Sequence, residues 1–213
     1  DKKKARQLDN SKSGINIESA GESKSAGRSE LNRSRHIVLV AMNQTGLNNI
    51  FKMVTESHKG DYFYRKPRID FALLEKYGEG VIASSACLGG IYARAYWSKV
   101  EEGEEAVVEE MRRLTKRFQE VLGDRWYGEL QWNRVPQQHA LNKYVIQMHK
   151  EFDMKLISTA DSHYPTPDAW KDRELYKRLG WLGRSKPEWL DMELPTEIQE
   201  LECELFPKNA EQM

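Results

Sequence analysis

Asp161 and His163 flank a single small residue, Ser162, at the end of the apolar run in "STADSHY" (residues 158–164). Carboxylate and imidazole both ligate divalent ions such as zinc or manganese, and this spacing at a strand end lets the two side chains face one cleft. The same stretch also reads as a polar turn in which Asp161 accepts hydrogen bonds from the following backbone amides. Spacing alone leaves both readings open. Cys87 ends a second apolar run just before Gly89 and Gly90, and His36 opens a third. A thiolate, two imidazoles and a carboxylate are thus available to one metal site. Each also has a plainer role: Cys87 as a small buried apolar residue, His36 as a strand-edge residue satisfied by solvent or backbone. Glu129 in "YGELQ" reads as a ligand, as a residue that orients a ligand, or as a core carboxylate paired with an arginine.

Arg65, Lys66 and Arg68 in "YFYRKPRID" form a basic loop with aromatic neighbours. Such a loop suits a phosphate or nucleic-acid backbone, or serves its own packing. His58, His139 and His149 lie on predicted helices or their ends among charged residues, where surface roles are expected. No glycine-rich phosphate loop, Walker pattern or G-x-S-x-G elbow is present.

These residues must be held by strands and helices that alternate. "HIVLVAM" is a continuous β-branched run of the buried-strand type, and Leu47, Ile50, Phe51 and Val54 then recur at helical spacing. An aromatic loop and a short helix N-capped by Asp70 follow, then "VIASSAC" as a second strand. The segment "EEGEEAVVEEMRRLTKRFQEVLG" predicts a long helix with Val107, Met111, Leu114, Phe118 and Leu122 as its apolar stripe. Acidic residues crowd its first turns and basic ones follow, as the helix dipole favours. "RWYGELQW" reads as a third strand, Pro136 opens a helix carrying Leu141, Tyr144, Val145, Met148 and Phe152, and "KLISTAD" is a fourth strand. Strands separated by such helices need crossover connections, so the fold class is α/β with a mostly parallel sheet or a barrel. In either case the loops after strand C-termini build the site, and Cys87, Glu129 and Asp161 with His163 fall at or just past three such ends.

The 213 residues suffice for one medium domain with a core. Residues 1–35 are rich in Ser, Gly, Asn, Lys and Glu and nearly free of large apolar groups, the composition of a flexible polar loop or tail. With 33 basic and 33 acidic residues the formal charge is zero, so the whole chain lacks the electrostatic signature of a nucleic-acid binder. Two cysteines, Cys87 and Cys203, lie far apart, which argues for reduced thiols rather than a disulfide framework. The longest apolar stretch is too short to span a bilayer and no signal peptide opens the chain, so a cytoplasmic protein is expected. The chain begins with Asp1 rather than Met and ends in "KNAEQM", as expected of an internal piece of something longer.

"HIVLVAMNQTGLNNIFKMV", "YFYRKPRIDFALLEKYGEGVIASSACLGG", "WYGELQ", "ISTADSHYPTPDAWKDRELY" and "FPKNAEQM" together closely resemble the PHP (polymerase and histidinol phosphatase) domain of bacterial and phage DNA polymerase III alpha subunits. The resemblance runs from about residue 36 to the end. It implies a distorted (β/α)7 barrel, present in part, with a zinc or manganese cluster at the strand C-termini. By position, His36 matches a mid-domain ligand histidine, Cys87 a position filled by Cys or His, and Asp161 with His163 the closing D-x-H pair. The family's opening H-x-H motif, a further histidine and a glutamate lie upstream of where this chain begins. Residues 36–185 are then the C-terminal part of the PHP domain and 186–213 the exit towards the polymerase core. The parent protein implied is a magnesium-dependent DNA-directed DNA polymerase, with DNA, a proofreading exonuclease subunit and a sliding clamp as partners. The resemblance implies that the PHP cluster is a phosphoesterase or 3'-5' exonuclease site; alternatively it implies a non-catalytic scaffold that stabilises the polymerase and docks the proofreading subunit, or a free-standing phosphoesterase.

Overall fold

The computed structural model describes residues 35–64, 66–133, 135–181, 197 and 204–212. Most of the predicted polar tail at 1–35, most of the predicted exit segment at 186–213, and Arg65 and Cys203 lie outside the described residues. The described residues fall into two compact units, the larger within Arg28–Gln131 and Pro136–Thr159, the smaller within Trp132–Val135 and Ala160–Met213.

In the larger unit the elements run β1 (Val38–Ala41), α1 (Gln44–Ser57), β2 (Phe63–Tyr64), β3 (Lys66–Pro67), α2 (Phe71–Tyr77), β4 (Val81–Ser84), α3 (Ile91–Lys99), α4 (Glu104–Leu122), β5 (Trp126–Gln131), α5 (Pro136–Phe152) and β6 (Lys155–Thr159). Strands β1, β4, β5 and β6 form one sheet in that order. The β4–β5 and β5–β6 pairs are parallel, with α3 and α4 crossing over the first gap and α5 the second, while β1 runs antiparallel to β4. The α/β fold with a mostly parallel sheet is therefore present, and it is consistent with a partial PHP barrel. Strands β2 and β3 make a small separate hairpin within the predicted aromatic loop.

The core lies between the sheet and α3, α4 and α5. Trp126 stacks on Phe118 at 3.9 Å between ring centroids and meets Tyr92 edge-on. Its indole N–H donates to the Tyr92 hydroxyl oxygen at 2.9 Å. The Thr115 hydroxyl gives its proton to the Met111 carbonyl, which leaves the Tyr92 O–H shared between Thr115 Oγ1 at 2.6 Å and Met154 Sδ at 3.1 Å. Burial pushes the Tyr92 phenol up to about 12. Helix α4 buries Val107, Met111, Phe118 and Leu122 as its spacing predicts, with Thr115 taking a buried position beside the half-buried Leu114. The predicted N-cap is present, with Asp70 accepting from the Leu73 N–H at 3.0 Å. Arg112 forks onto Glu151 through two hydrogen bonds and ties α4 to α5.

Two expectations are corrected at the first strand and helix. The run "HIVLVAM" is not a doubly buried strand: β1 is one of the two edge strands of the four-stranded sheet, and Val40 is 52% exposed. Nor does α1 bury its apolar stripe. Leu47, Phe51 and Val54 are exposed, and the buried face carries Gly46, Asn49, Met53 and Ser57. Close approach and polar pairing set that face. A Cβ on Gly46 would sit 1.8 Å from the Gly80 carbonyl oxygen, and the Asn49 amide donates to the Glu79 carbonyl at 3.0 Å.

The smaller unit has its own cluster of Tyr164, Trp170 and Phe206, with Ala169 and Leu205 against it, and the helix α6 (Trp170–Trp181). The N–H groups of His163 and Tyr164 both donate to the Leu205 carbonyl, and the Leu205 N–H donates to the Tyr164 hydroxyl. No helix among the described residues is long and apolar enough to cross a membrane.

Candidate metal centre

Strand β4 ends at Ser84, and the next six residues turn back tightly to start α3. Ser85 anchors the turn through three groups. Its N–H donates to the Tyr127 carbonyl, its hydroxyl oxygen accepts from the Glu129 N–H at 2.9 Å, and its carbonyl accepts from the Ile91 N–H. Ala86 then adopts a left-handed backbone with φ of 59°, a costly conformation for a residue with a Cβ that persists where surrounding contacts enforce it. The Gly90 N–H donates to the Cys87 carbonyl at 2.7 Å and closes the turn.

His36 reaches this turn from just before β1. Its N–H donates to the Gly89 carbonyl at 3.0 Å, and it forms an isolated parallel bridge with Gly90. As a result His36 Nδ1 and Cys87 Sγ, 51 residues apart in sequence, lie 3.6 Å apart. The Gly89 N–H also donates to Cys87 Sγ at 3.4 Å. A tetrahedral zinc ion at about 2.0 Å from an imidazole nitrogen and about 2.3 Å from a thiolate sulfur holds those atoms roughly 3.5 Å apart. The observed separation fits that requirement. Cys87 is half-buried and His36 exposed, so the pair is reachable from solvent. Among the described residues no group of three or more His, Cys, Asp or Glu side chains gathers as a metal ion would need; the larger unit presents a two-donor pair.

In the smaller unit, Asp161 takes a left-handed backbone with φ of 48°, as Asp tolerates in turns. Its carbonyl lies 2.6 Å from His163 Nδ1. A carbonyl only accepts, so Nδ1 carries the proton and Nε2 of the neutral ring is left with its lone pair, the arrangement in which a histidine ligates through Nε2. The D-x-H stretch is thus a turn whose geometry also fixes the histidine tautomer.

Glu129 is 6% exposed. Its carboxylate accepts from the Ser84 hydroxyl at 2.5 Å, the Thr159 hydroxyl at 2.7 Å and the Gln131 amide at 3.0 Å. Among the described residues its partners are neutral donors from β4, β5 and β6, not the arginine that pairing in the core would have required. Three hydrogen bonds to the carboxylate offset the cost of burying it. Of the basic loop, Lys66 is exposed, whereas Arg68 donates to the carbonyls of Tyr62 and Asp61 and so braces the loop from within. His58 and His139 are exposed as expected, and the His58 ring stacks on Phe63 at 5.9 Å. His149 departs from its expected surface role. It is half-buried, and its Nδ1 donates to the Met154 carbonyl at 2.7 Å, closing the turn from α5 to β6. Sequence spacing alone overlooks Gly89, Ser84, Ser85 and Thr159; the one written signal among them is the Gly-Gly pair that follows Cys87.

Residues 4–133 match the PHP domain family. That match begins within the stretch preceding His36 and ends before Asp161. Among curated proteins, the chain is 41% identical over 135 residues to the DNA polymerase III subunit alpha of Aquifex aeolicus, covering 63% of this chain and 11% of that protein. It is 30% identical over 179 residues to the Borreliella burgdorferi subunit, covering 81% and 15%. For the Campylobacter jejuni subunit the figures are 29% over 185 residues, covering 84% and 14%. Wherever a continuous match over 84% of the chain begins, it takes in residues 161–163. The matched part thus spans 11 to 15% of the length of these relatives. With an α/β sheet that carries Cys87 on the turn after a strand and a family match over more than half its length, the chain belongs to the PHP domain family.

Proposed function

We propose that this chain is part of the PHP domain of a cytoplasmic DNA polymerase III alpha subunit. His36, Cys87, Asp161 and His163 are its metal ligands. The observation that carries the metal reading is the His36–Cys87 pair, set 3.6 Å apart by the turn after β4. The match to polymerase III alpha relatives supports the parent protein. A sulfur donor favours zinc over manganese, because manganese prefers oxygen ligands. A divalent metal held there would supply an activated water for phosphoester cleavage, as in 3'-5' proofreading. This chain's own residues orient the donors: the Gly89 N–H steadies the sulfur, and the Asp161 carbonyl holds the His163 tautomer. Glu129, through Ser84 and the Ser85 hydroxyl, braces the strand end from which Cys87 departs. Exposed Lys66 is a contact for DNA phosphates, and Arg65 beside it is a second candidate; Arg68 shapes their loop. Primer extension with magnesium, and contacts to a clamp, belong to other parts of such a polymerase.

The test is elemental analysis of the full-length protein and of its Asp161→Asn, His163→Ala and Cys87→Ser variants after chelator-free dialysis. Wild type retains stoichiometric zinc or manganese, and each variant loses it or binds roughly 10 to 100-fold more weakly. Unchanged metal content in all three variants would sink the ligand assignment.

The exposed apolar stripe of Leu47, Phe51 and Val54 favours a second reading, a scaffold that stabilises the polymerase and docks a separate proofreading exonuclease. Exonuclease activity of the purified full-length protein above background counts against a purely structural domain.

A further inference from the structure

We propose that Gly89 is the positioning residue that makes a metal-binding pair of His36 and Cys87. The inference rests on the metal reading above and adds to it the residue on which the pair depends.

Gly89 bonds to both residues through its backbone, its carbonyl accepting the His36 backbone N–H at 3.0 Å and its N–H donating to Cys87 Sγ at 3.4 Å. It also leaves open the space beside both. A Cβ on Gly89 would stand 3.0 Å from His36 Nδ1, 3.1 Å from His36 Cε1 and 3.6 Å from Cys87 Sγ. That methyl group would press on the imidazole at its donor atom and crowd the approach to the sulfur. The backbone conformation is not what requires glycine, because Gly89 is not among the glycines in the left-handed region, which among the described residues are Gly60, Gly80, Gly103 and Gly123. Alanine can therefore keep both backbone hydrogen bonds and the turn, while its Cβ displaces the His36 ring. A glycine kept for close approach rather than for φ has this signature. Gly90 next to it differs, since a Cβ there would lie 2.0 Å from the Ser85 carbonyl oxygen and break the turn itself.

The experiment loads cobalt(II) into the full-length protein and its Gly89→Ala variant. It reads the thiolate-to-cobalt absorption band, the cobalt affinity and the far-UV circular dichroism. The expected result is a folded variant whose band is lost or shifted and whose cobalt affinity falls roughly 10 to 100-fold. A variant with the wild-type band and affinity overturns the role of Gly89 while leaving the metal reading intact. A wild-type protein without any thiolate-to-cobalt band overturns the metal reading, and the inference falls with it. If Gly89→Ala fails to fold, the Gly89→Ala/His36→Ala double variant decides. Recovery of the fold shows that the added methyl acts on the His36 ring, and no recovery overturns the proposal.

Discussion

The Tyr92 hydroxyl shows what one buried atom holds together. It takes the Trp126 N–H and shares its own proton between Thr115 and Met154, so three elements (α3, α4 and β5) meet at one oxygen. Tyr92→Phe leaves the indole N–H without its acceptor and Thr115 without its donor. The expected cost is about 1–3 kcal/mol, read as a lower midpoint in urea unfolding followed by tryptophan emission. The same group sets an alkaline limit. Burial raises the phenol in the folded chain from 10.0 to about 12, so the unfolded phenol ionises first. Its share of the stability is whole below pH 10 and is lost as pH rises through about 12. The Tyr92→Phe variant should lack that part of the alkaline slope in a pH series of unfolding curves; an identical slope in both proteins would show that the ring is not what titrates.

Helix α1 is where element-level rules and the fold disagree. On propensity alone, Gly→Ala inside a helix stabilises by roughly 1 kcal/mol. Gly46→Ala is expected to do the opposite, because its Cβ would lie 1.8 Å from the Gly80 carbonyl. Overpacking of this kind costs about 1–3 kcal/mol, and thermal unfolding of the variant reads the sign directly. A more stable variant would mean that α1 stands farther from the turn before β4. The same contact explains what was legible here and what was not. The presence of α1 and α4, the Asp70 cap and the alternation of strands with helices along the chain follow from local spacing, capping and β-branched runs. The face that α1 buries does not, because Gly46 is chosen by Gly80 and Asn49 by the Glu79 carbonyl, both some thirty residues away. An apolar stripe is a reliable guide to burial only where the next element is present to cover it.

For the whole molecule, the chain spans a small part of the polymerase subunits it resembles, and α1 leaves Leu47, Phe51 and Val54 exposed on the larger unit. Phe51, 59% exposed, gains little from its surroundings in this chain. Phe51→Ser should therefore change the stability of the isolated chain by less than about 0.5 kcal/mol, in keeping with exposed sites generally. If the rest of a full-length subunit or a docked exonuclease covers the stripe, the same substitution in that context costs markedly more. Parallel denaturation of both proteins checks this. Equal, small effects in both would show that the stripe faces solvent in each and would remove the support it lends to a docking role.

The amino-acid sequence by itself determined the alternation of strands and helices, the α/β class, and the chemical types placed after strand ends: the thiol of Cys87, the carboxylate of Asp161 and the imidazole of His163. Those depend on neighbours within a few residues, and local periodicity records them. Tertiary structure alone decided that His36 meets Cys87 and that Glu129 is held by Ser84 and Thr159 rather than by an arginine. It also decided that Gly89 stands open beside two donor atoms. Apart from the nearness of Gly89 to Cys87, each of these is a contact between residues separated by tens of positions. Which partner a donor atom finds at that separation depends on strand order and register, and no local pattern encodes it.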